Sequence, residues 1–175
     1  MATATLARPK STEYAAYYGK YIDLVVEDEI FDVLQSQEAE MISFLRGVPE
    51  AQSDVLHPPY TWTLKQVVNH ICDSERIFAY RALRIARKDA TPLPGFEENE
   101  YAQTSQVDRL TLASLADEFA TVRAATLSLL RSLPDDAWAR TGTANKYAVS
   151  VRALAWIMAG HARHHLAIMR KRVGK

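Results

Sequence analysis

The sequence predicts an all-α protein, a four-helix bundle with a long crossing connection between its second and third helices. Two observations lead there. Four stretches carry apolar residues at the alternating 3 and 4 spacing of a core-facing helix stripe. Proline and glycine collect in the breaks between those stretches, at Gly47 and Pro49, Pro58 and Pro59, Pro92 to Gly95, and Pro134. A chain of 175 residues suits one domain with a sizeable core.

Taken in order, residues 1–12 are small and polar and are expected to be a flexible segment, with the bundle domain occupying 13–175. Tyr14, Tyr17, Tyr18, Tyr21 and Ile22 form an aromatic cluster expected to pack across a bundle end. The first long helix is expected to start near Asp28 as N-cap. Its stripe is Ile30, Val33, Leu34, Gln37, Met41, Phe44 and Leu45, and Gly47 with Pro49 stops it. Thr63 opens the second helix, with Gln66 at the capping-box spacing, and the helix runs to about Ala86. Residues 87–110 read as a loop. Fully extended it is long enough to return the chain along a helix of about 34 Å, which would leave helices two and three parallel. The third helix begins near Thr111, carries Leu115, Phe119, Val122, Thr126, Leu129 and Leu133, and reads as plain core. A short hairpin with Gly142 at its turn follows, and Ser150 caps the fourth helix.

The fourth helix breaks its own pattern. Its seam runs Val151, Leu154, Met158, His161, His165, Ile168, so two histidines stand where the spacing asks for Leu or Ile. Four apart on a helix, their Cβ atoms lie about 5–6 Å apart, close enough for two imidazoles to share an ion at about 2.0–2.1 Å. His164 lies on the flank of the seam and reads as a neighbour of the site or a substrate contact. The second helix supplies His70 on a face shared with Val67, Ser74, Ile77, Arg81 and Arg84, too polar for a purely structural stripe. Set opposite each other, His70, His161 and His165 make a three-histidine site with an open position, the pattern of a catalytic metal. Zinc or nickel is the expected ion, with cobalt and iron(II) also compatible with such donors. Ligation needs neutral imidazole, so metal is expected to leave as the pH falls below about 6.

Around these three, the candidate catalytic residues are Asp73, Arg81 and His164. Asp73 is a candidate base or support for a ligand. Arg81, on the His70 face, is a candidate clamp for a substrate carboxylate, or else the partner of an acidic residue on a neighbouring helix. Glu75 lies about 140° around from His70 and reads as an inter-helix ion-pair partner. Cys72 points away from the site, and a single cysteine cannot form an internal disulfide.

The stretches WTLKQVVNHICDSERIFAYRALRIARKD, TPLPGFEENEY and GHARHH resemble the DinB family of metal-binding four-helix bundles. The resemblance runs from about Tyr14 to Arg170 and implies the crossed connection and a metal held by His70, His161 and His165. It also implies an activity among those of the family, which include thiol S-transferases using low-molecular-weight thiols, mycothiol-dependent isomerases, metal-dependent hydrolases and stress-induced proteins. A thiol-dependent transferase is the favoured expectation, because HxxxH lacks the glutamate that a zincin helix carries inside its motif. The alternatives are a metal-dependent hydrolase and a non-catalytic metal- or small-molecule-binding stress protein.

Composition limits the partners. Lys and Arg total 21 against 21 Asp and Glu, so no net positive field draws in nucleic acid. No apolar run approaches the about 20 residues of a membrane span, and the lone cysteine fits a cytoplasmic protein. The expected partner is a small-molecule substrate. The N-terminal tyrosines also point to a homodimer.

Overall fold

In the computed structural model, which describes residues 6–174, six helices and one hairpin follow in order. They are α1 (Gly19–Ile22), α2 (Ile30–Arg46), α3 (Leu64–Ala86), α4 (Glu98–Thr104), α5 (Leu112–Arg131), β1 (Thr141–Ala144), β2 (Tyr147–Ser150) and α6 (Val151–Arg172). The four long helices form the bundle, with α5 packed on α2 and α3, and α6 packed on α3 and α2.

The side chains that cross between helices give their directions. Arg46 pairs with Asp117 and Gln35 with Arg131, so α2 and α5 are antiparallel. Arg172 reaches Trp62 while His161 and His165 lie against His70, so α3 and α6 are also antiparallel. Between α3 and α5 the order matches. Lys65 at the start of α3 binds Glu50, which also accepts from the first amide of α5, Leu112, and Glu75 further along pairs with Arg123. Helices α3 and α5 are therefore parallel, as the length of the connection between them predicts.

That connection is not a bare loop. It carries α4 and a short 3-10 turn, and it returns along α3 held at successive points. The Pro94 carbonyl accepts from Arg81 at 2.7 Å, and the Ala102 carbonyl accepts from Gln66 at 3.0 Å. Leu93 exchanges backbone hydrogen bonds of 2.9 Å with the hairpin, at Thr143 and Asn145.

Caps set the register of the two site-bearing helices. Thr63 and Gln66 close a reciprocal capping box on α3, with bonds of 3.2 and 2.9 Å. Ser150 accepts from Ala153 at 3.0 Å and donates to Glu13 at 2.8 Å. The α2 stripe is buried at every predicted position. Its start differs, because Glu29 and not Asp28 is the N-cap. Arg163 on α6 binds the Leu24 carbonyl and the Glu27 carboxylate, anchoring the chain just upstream, and the helix begins only after that stretch.

The hairpin turn is also displaced. β1 and β2 pair from Thr141↔Ser150 to Ala144↔Tyr147, which puts Asn145 and Lys146 at the turn, with φ of 48° and 71°. Such positive values match the twist of a two-residue hairpin. Gly142 lies instead within a strand, where a Cβ would meet Ile85 Cγ1 at 2.7 Å, so its role is close approach to α3. Of the segment 1–12, residues 1–5 lie outside the described residues, while Arg8 donates to the carbonyls of Val25 and Ile22. Tyr14 and Tyr18 pack against the core and Tyr17 is 59% exposed. No helix among the described residues is long and apolar enough to cross a membrane.

The third helix of the bundle departs most from its reading as plain core. Arg123 is fully buried on α5 and binds Glu75 of α3 through two bonds of 2.7 and 2.8 Å. It also donates to the Leu34 carbonyl and to Gln37 of α2, and Gln37 in turn donates to the Ala159 carbonyl of α6 at 2.9 Å. One guanidinium thus links all four long helices. Breaking a buried pair on one side leaves an uncompensated charge, so Arg123→Met is expected to lower stability by about 3–5 kcal/mol in urea unfolding. Adding Glu75→Leu to that variant should recover part of the loss. An equal loss in both variants would show that the stranded carboxylate is not its source.

Candidate metal centre

His70 sits two turns into α3, and His161 and His165 sit on consecutive turns in the middle of α6. The antiparallel packing of those helices brings the three rings together. Their Nε2 atoms converge, with His161 3.0 Å from His70 and 3.1 Å from His165. One nitrogen from each of the three fits within a 4.8 Å span, and no carboxylate or thiol among the described residues joins the group.

Burial sets the charge of these rings. His161 is 5% exposed, and the loss of solvent pushes its pKa well below the usual imidazole value, helped by the neighbouring histidines. Burial lowers His70 to about 4, and burial with the adjacent histidines lowers His165 to about 3. All three are neutral at pH 7, the state in which imidazole nitrogen offers a lone pair to a metal. Three converging neutral Nε2 atoms with a cavity beside them fit a divalent transition ion with an open coordination position. Zinc, nickel, cobalt and iron(II) all accept such donors.

The cavity has a volume of about 610 Å³, within the range of small-molecule sites. From α3 it is lined by His70, Ser74, Phe78 and Arg81, and from α6 by His161 and His165. Trp62 stacks at a tilt on His70, with ring centroids 4.9 Å apart. The N-terminal tyrosines supply a roof. Tyr21 lies edge-on to His161 at 5.3 Å and to His164 at 5.4 Å, and burial raises its phenol pKa, keeping it neutral. Ser74 brings a buried hydroxyl with no hydrogen-bond partner among the described residues to the wall of the cavity.

The remaining candidates separate cleanly. Arg81 reaches the cavity and has no acidic partner among the described residues. Asp73 does not line it. Its carboxylate accepts from Asn69 at 2.8 Å and Arg76 at 3.4 Å, and burial raises its pKa. His164 lies on the flank against Tyr21 and His165, outside the cluster of three. Cys72 is buried in the apolar core with its thiol pKa raised by burial. Glu75 pairs with Arg123.

Sequence reasoning missed the roof, the Trp62 contact and Glu98, an acidic residue from α4 that lines the cavity. The signal for the roof was Gly160. A glycine inside a helix costs about 1 kcal/mol relative to Ala. Here a Cβ would stand 2.0 Å from the Tyr21 carbonyl oxygen, so only glycine lets α1 lie on α6 beside His161. Because the obstacle is backbone, it cannot swing aside. Gly160→Ala is expected to lower stability by about 1–3 kcal/mol despite its better helix propensity. It should also speed diethylpyrocarbonate modification of His161 as Tyr21 lifts away. Unchanged stability and reactivity would mean that Tyr21 does not hold this roof.

The family model of the DinB superfamily matches residues 34–169. Among curated proteins, none matches the chain by sequence. Among solved structures, YfiT from Bacillus subtilis is similar with a TM-score of 0.74 at 18% identity, over 95% of this chain and 93% of that one. It is described as a probable metal-dependent hydrolase with an unusual four-helix bundle topology. A mycothiol-dependent maleylpyruvate isomerase is similar with a TM-score of 0.67 at 16% identity, over 84% of this chain and 62% of the isomerase. The chain thus spans less than two thirds of the isomerase. At these identities the likeness is one of fold.

Proposed function

As the chain belongs to the DinB superfamily, we propose that it is a metal-dependent enzyme in which His70, His161 and His165 hold one divalent transition ion, zinc or nickel. We place that site in a single domain over residues 13–175. The observation that carries the reading is the convergence of three neutral Nε2 atoms beside a cavity of substrate size. The favoured reaction is group transfer to or from a low-molecular-weight thiol. A bound divalent ion supplies Lewis acidity, which lowers the pKa of a thiol or water placed against it.

The chain's own residues bind, orient and exclude water. Tyr21 and Trp62 cover the histidines, Phe78 offers an apolar wall beside His161, and Ser74 offers a hydroxyl. The choice of thiol over water rests on the all-histidine cluster, since hydrolysis usually wants a carboxylate positioned as base. Hydrolysis is the second reading, supported by Glu98 in the cavity wall and by the description of YfiT. Reconstituted protein given thiols with alkyl and acyl electrophiles, and separately esters and amides, distinguishes the two. Thiol consumption without ester or amide cleavage is the expected outcome, and cleavage without added thiol would reverse the order.

The metal assignment has its own test. Elemental analysis after reconstitution and dialysis against a weak chelator should find about one ion per chain. His70→Ala, His161→Ala and His165→Ala should each lose most of it, and His164→Ala should keep it. A wild type without metal, or loss on His164→Ala with retention on His165→Ala, would refute the assignment.

The pH of release should lie lower than for exposed histidines. Protons compete for the same nitrogens, and burial holds the free-ligand values at about 4 for His70 and about 3 for His165. Metal should therefore stay bound at pH 6 and leave as the pH falls toward 4. Half-release above pH 6 would contradict the burial argument.

A further inference from the structure

Arg81 is 3% exposed and forms no ion pair among the described residues. It differs in this from Arg123, the other buried arginine of the α3 and α5 faces, which has the Glu75 carboxylate. Arg81 donates to the Pro94 carbonyl at 2.7 Å and hydrogen-bonds the Tyr18 side chain. Burial raises the Tyr18 pKa, so that neighbour is a neutral phenol. A guanidinium has five N–H donors and stays charged in proteins, so a carbonyl and a phenol leave both its charge and most of its donors uncompensated.

Arg172 is also buried with no acidic partner among the described residues, but it donates to the Trp62 carbonyl at 2.8 Å and lines a smaller cavity of about 240 Å³ on the other side of Trp62 and His165. Arg81 lines the cavity that holds the histidines. Its guanidinium carbon lies 5.9 Å from the Phe78 ring centroid, and the His161 ring lies 6.0 Å from the same centroid. Arginine and histidine are therefore no more than about 12 Å apart, the length of a small organic molecule.

We propose that Arg81 receives the carboxylate of the substrate, so that the cavity takes an elongated organic anion. The anionic end lies on the guanidinium, the apolar middle lies along Phe78 and Tyr18, and the reacting end lies at the histidines. Planar bidentate pairing is what an arginine fork offers a carboxylate. Glu98, the acidic side chain among those lining the cavity, forms no ion pair with Arg81, so the guanidinium charge is left for a ligand to match. The inference rests on the reading of this cavity as the substrate site and does not require the metal.

The test uses full-length protein stripped of metal, with isothermal titration of 3-phenylpropionate and of its neutral isostere 3-phenylpropanamide. Wild type should bind the acid about tenfold or more tightly than the amide, the ratio expected of a hydrogen bond to a charged group. Arg81→Gln should erase that preference by weakening the acid alone. Arg81→Lys, which keeps the charge without the fork, should fall between. Equal binding of acid and amide by wild type, no measurable binding of the acid, or an undiminished preference in Arg81→Gln each overturns the proposal. If circular dichroism shows Arg81→Gln unfolded, the wild-type ratio and Arg81→Lys decide the outcome. Metal analysis of the same preparations separates the two ideas. A chain that binds no metal but prefers the acid keeps this site and loses the metal reading, and a metal-binding chain without the preference does the reverse.

Discussion

The bundle depends on Arg123. A fully buried guanidinium needs its charge and its donors met inside the protein, and they are met by groups from two other helices at once. Glu75 turned toward α5 fixes the rotation of α3, since a helix cannot present two faces to one neighbour. His70, about 140° around from Glu75, is thereby turned toward α6. Gln37 extends the network to the Ala159 carbonyl, two residues before His161. The same set of bonds that ties the helices also aims the histidines. An apolar core of equal volume would hold the helices together with less rotational definition, which is one way a buried ion pair can serve specificity.

Holding three imidazoles in a neutral, largely buried cluster has consequences for both stability and chemistry. Below the ordinary imidazole pKa the unfolded chain takes up protons at these residues before the folded chain does. Folding is therefore opposed more strongly as the pH falls from about 6.5 toward the lowered values. The fold accepts this and covers the cluster further, with Tyr21 brought down by the missing side chain at Gly160. Converging lone pairs of low proton affinity beside a cavity are poorly suited to a purely structural core. They are well suited to an ion.

The crossing connection does more than return the chain. By running back along α3 it makes α3 and α5 parallel, and its tethers at Pro94 and Ala102 keep it against the cavity side. It brings Phe96 and Glu98 into the lining, while the hairpin to which Leu93 is bonded brings Asn145 and Tyr147. The long helices thus supply the histidines, and the segments between them supply much of the surface a substrate would meet. Function-bearing residues on connections held by a rigid frame are a common division of labour.

The sequence alone determined the four long helices, the caps at Thr63 and Ser150, the start of the third helix near Thr111, and the seam that turns His161 and His165 inward. Those features are local: a cap needs its own first turn, and a stripe needs only the 3.6-residue period. The same seam favoured His165 over His164, and the angle around one helix set Cys72 apart from His70. Which side chains from different elements meet was decided by the tertiary structure. The third helix read as plain core, and the buried bonds of Arg123 to Glu75 and Gln37 emerged only with those two residues set opposite it. Arg81 read as the partner of an acidic residue or as a clamp for a substrate carboxylate until its surroundings proved to be a carbonyl, a phenol and a cavity. The turn of the hairpin falls at Asn145 and Lys146, and Gly142 serves instead to let Ile85 of α3 approach the strand. Each of these is a relation between distant parts of the chain, and helical periodicity carries no information about distance across a bundle.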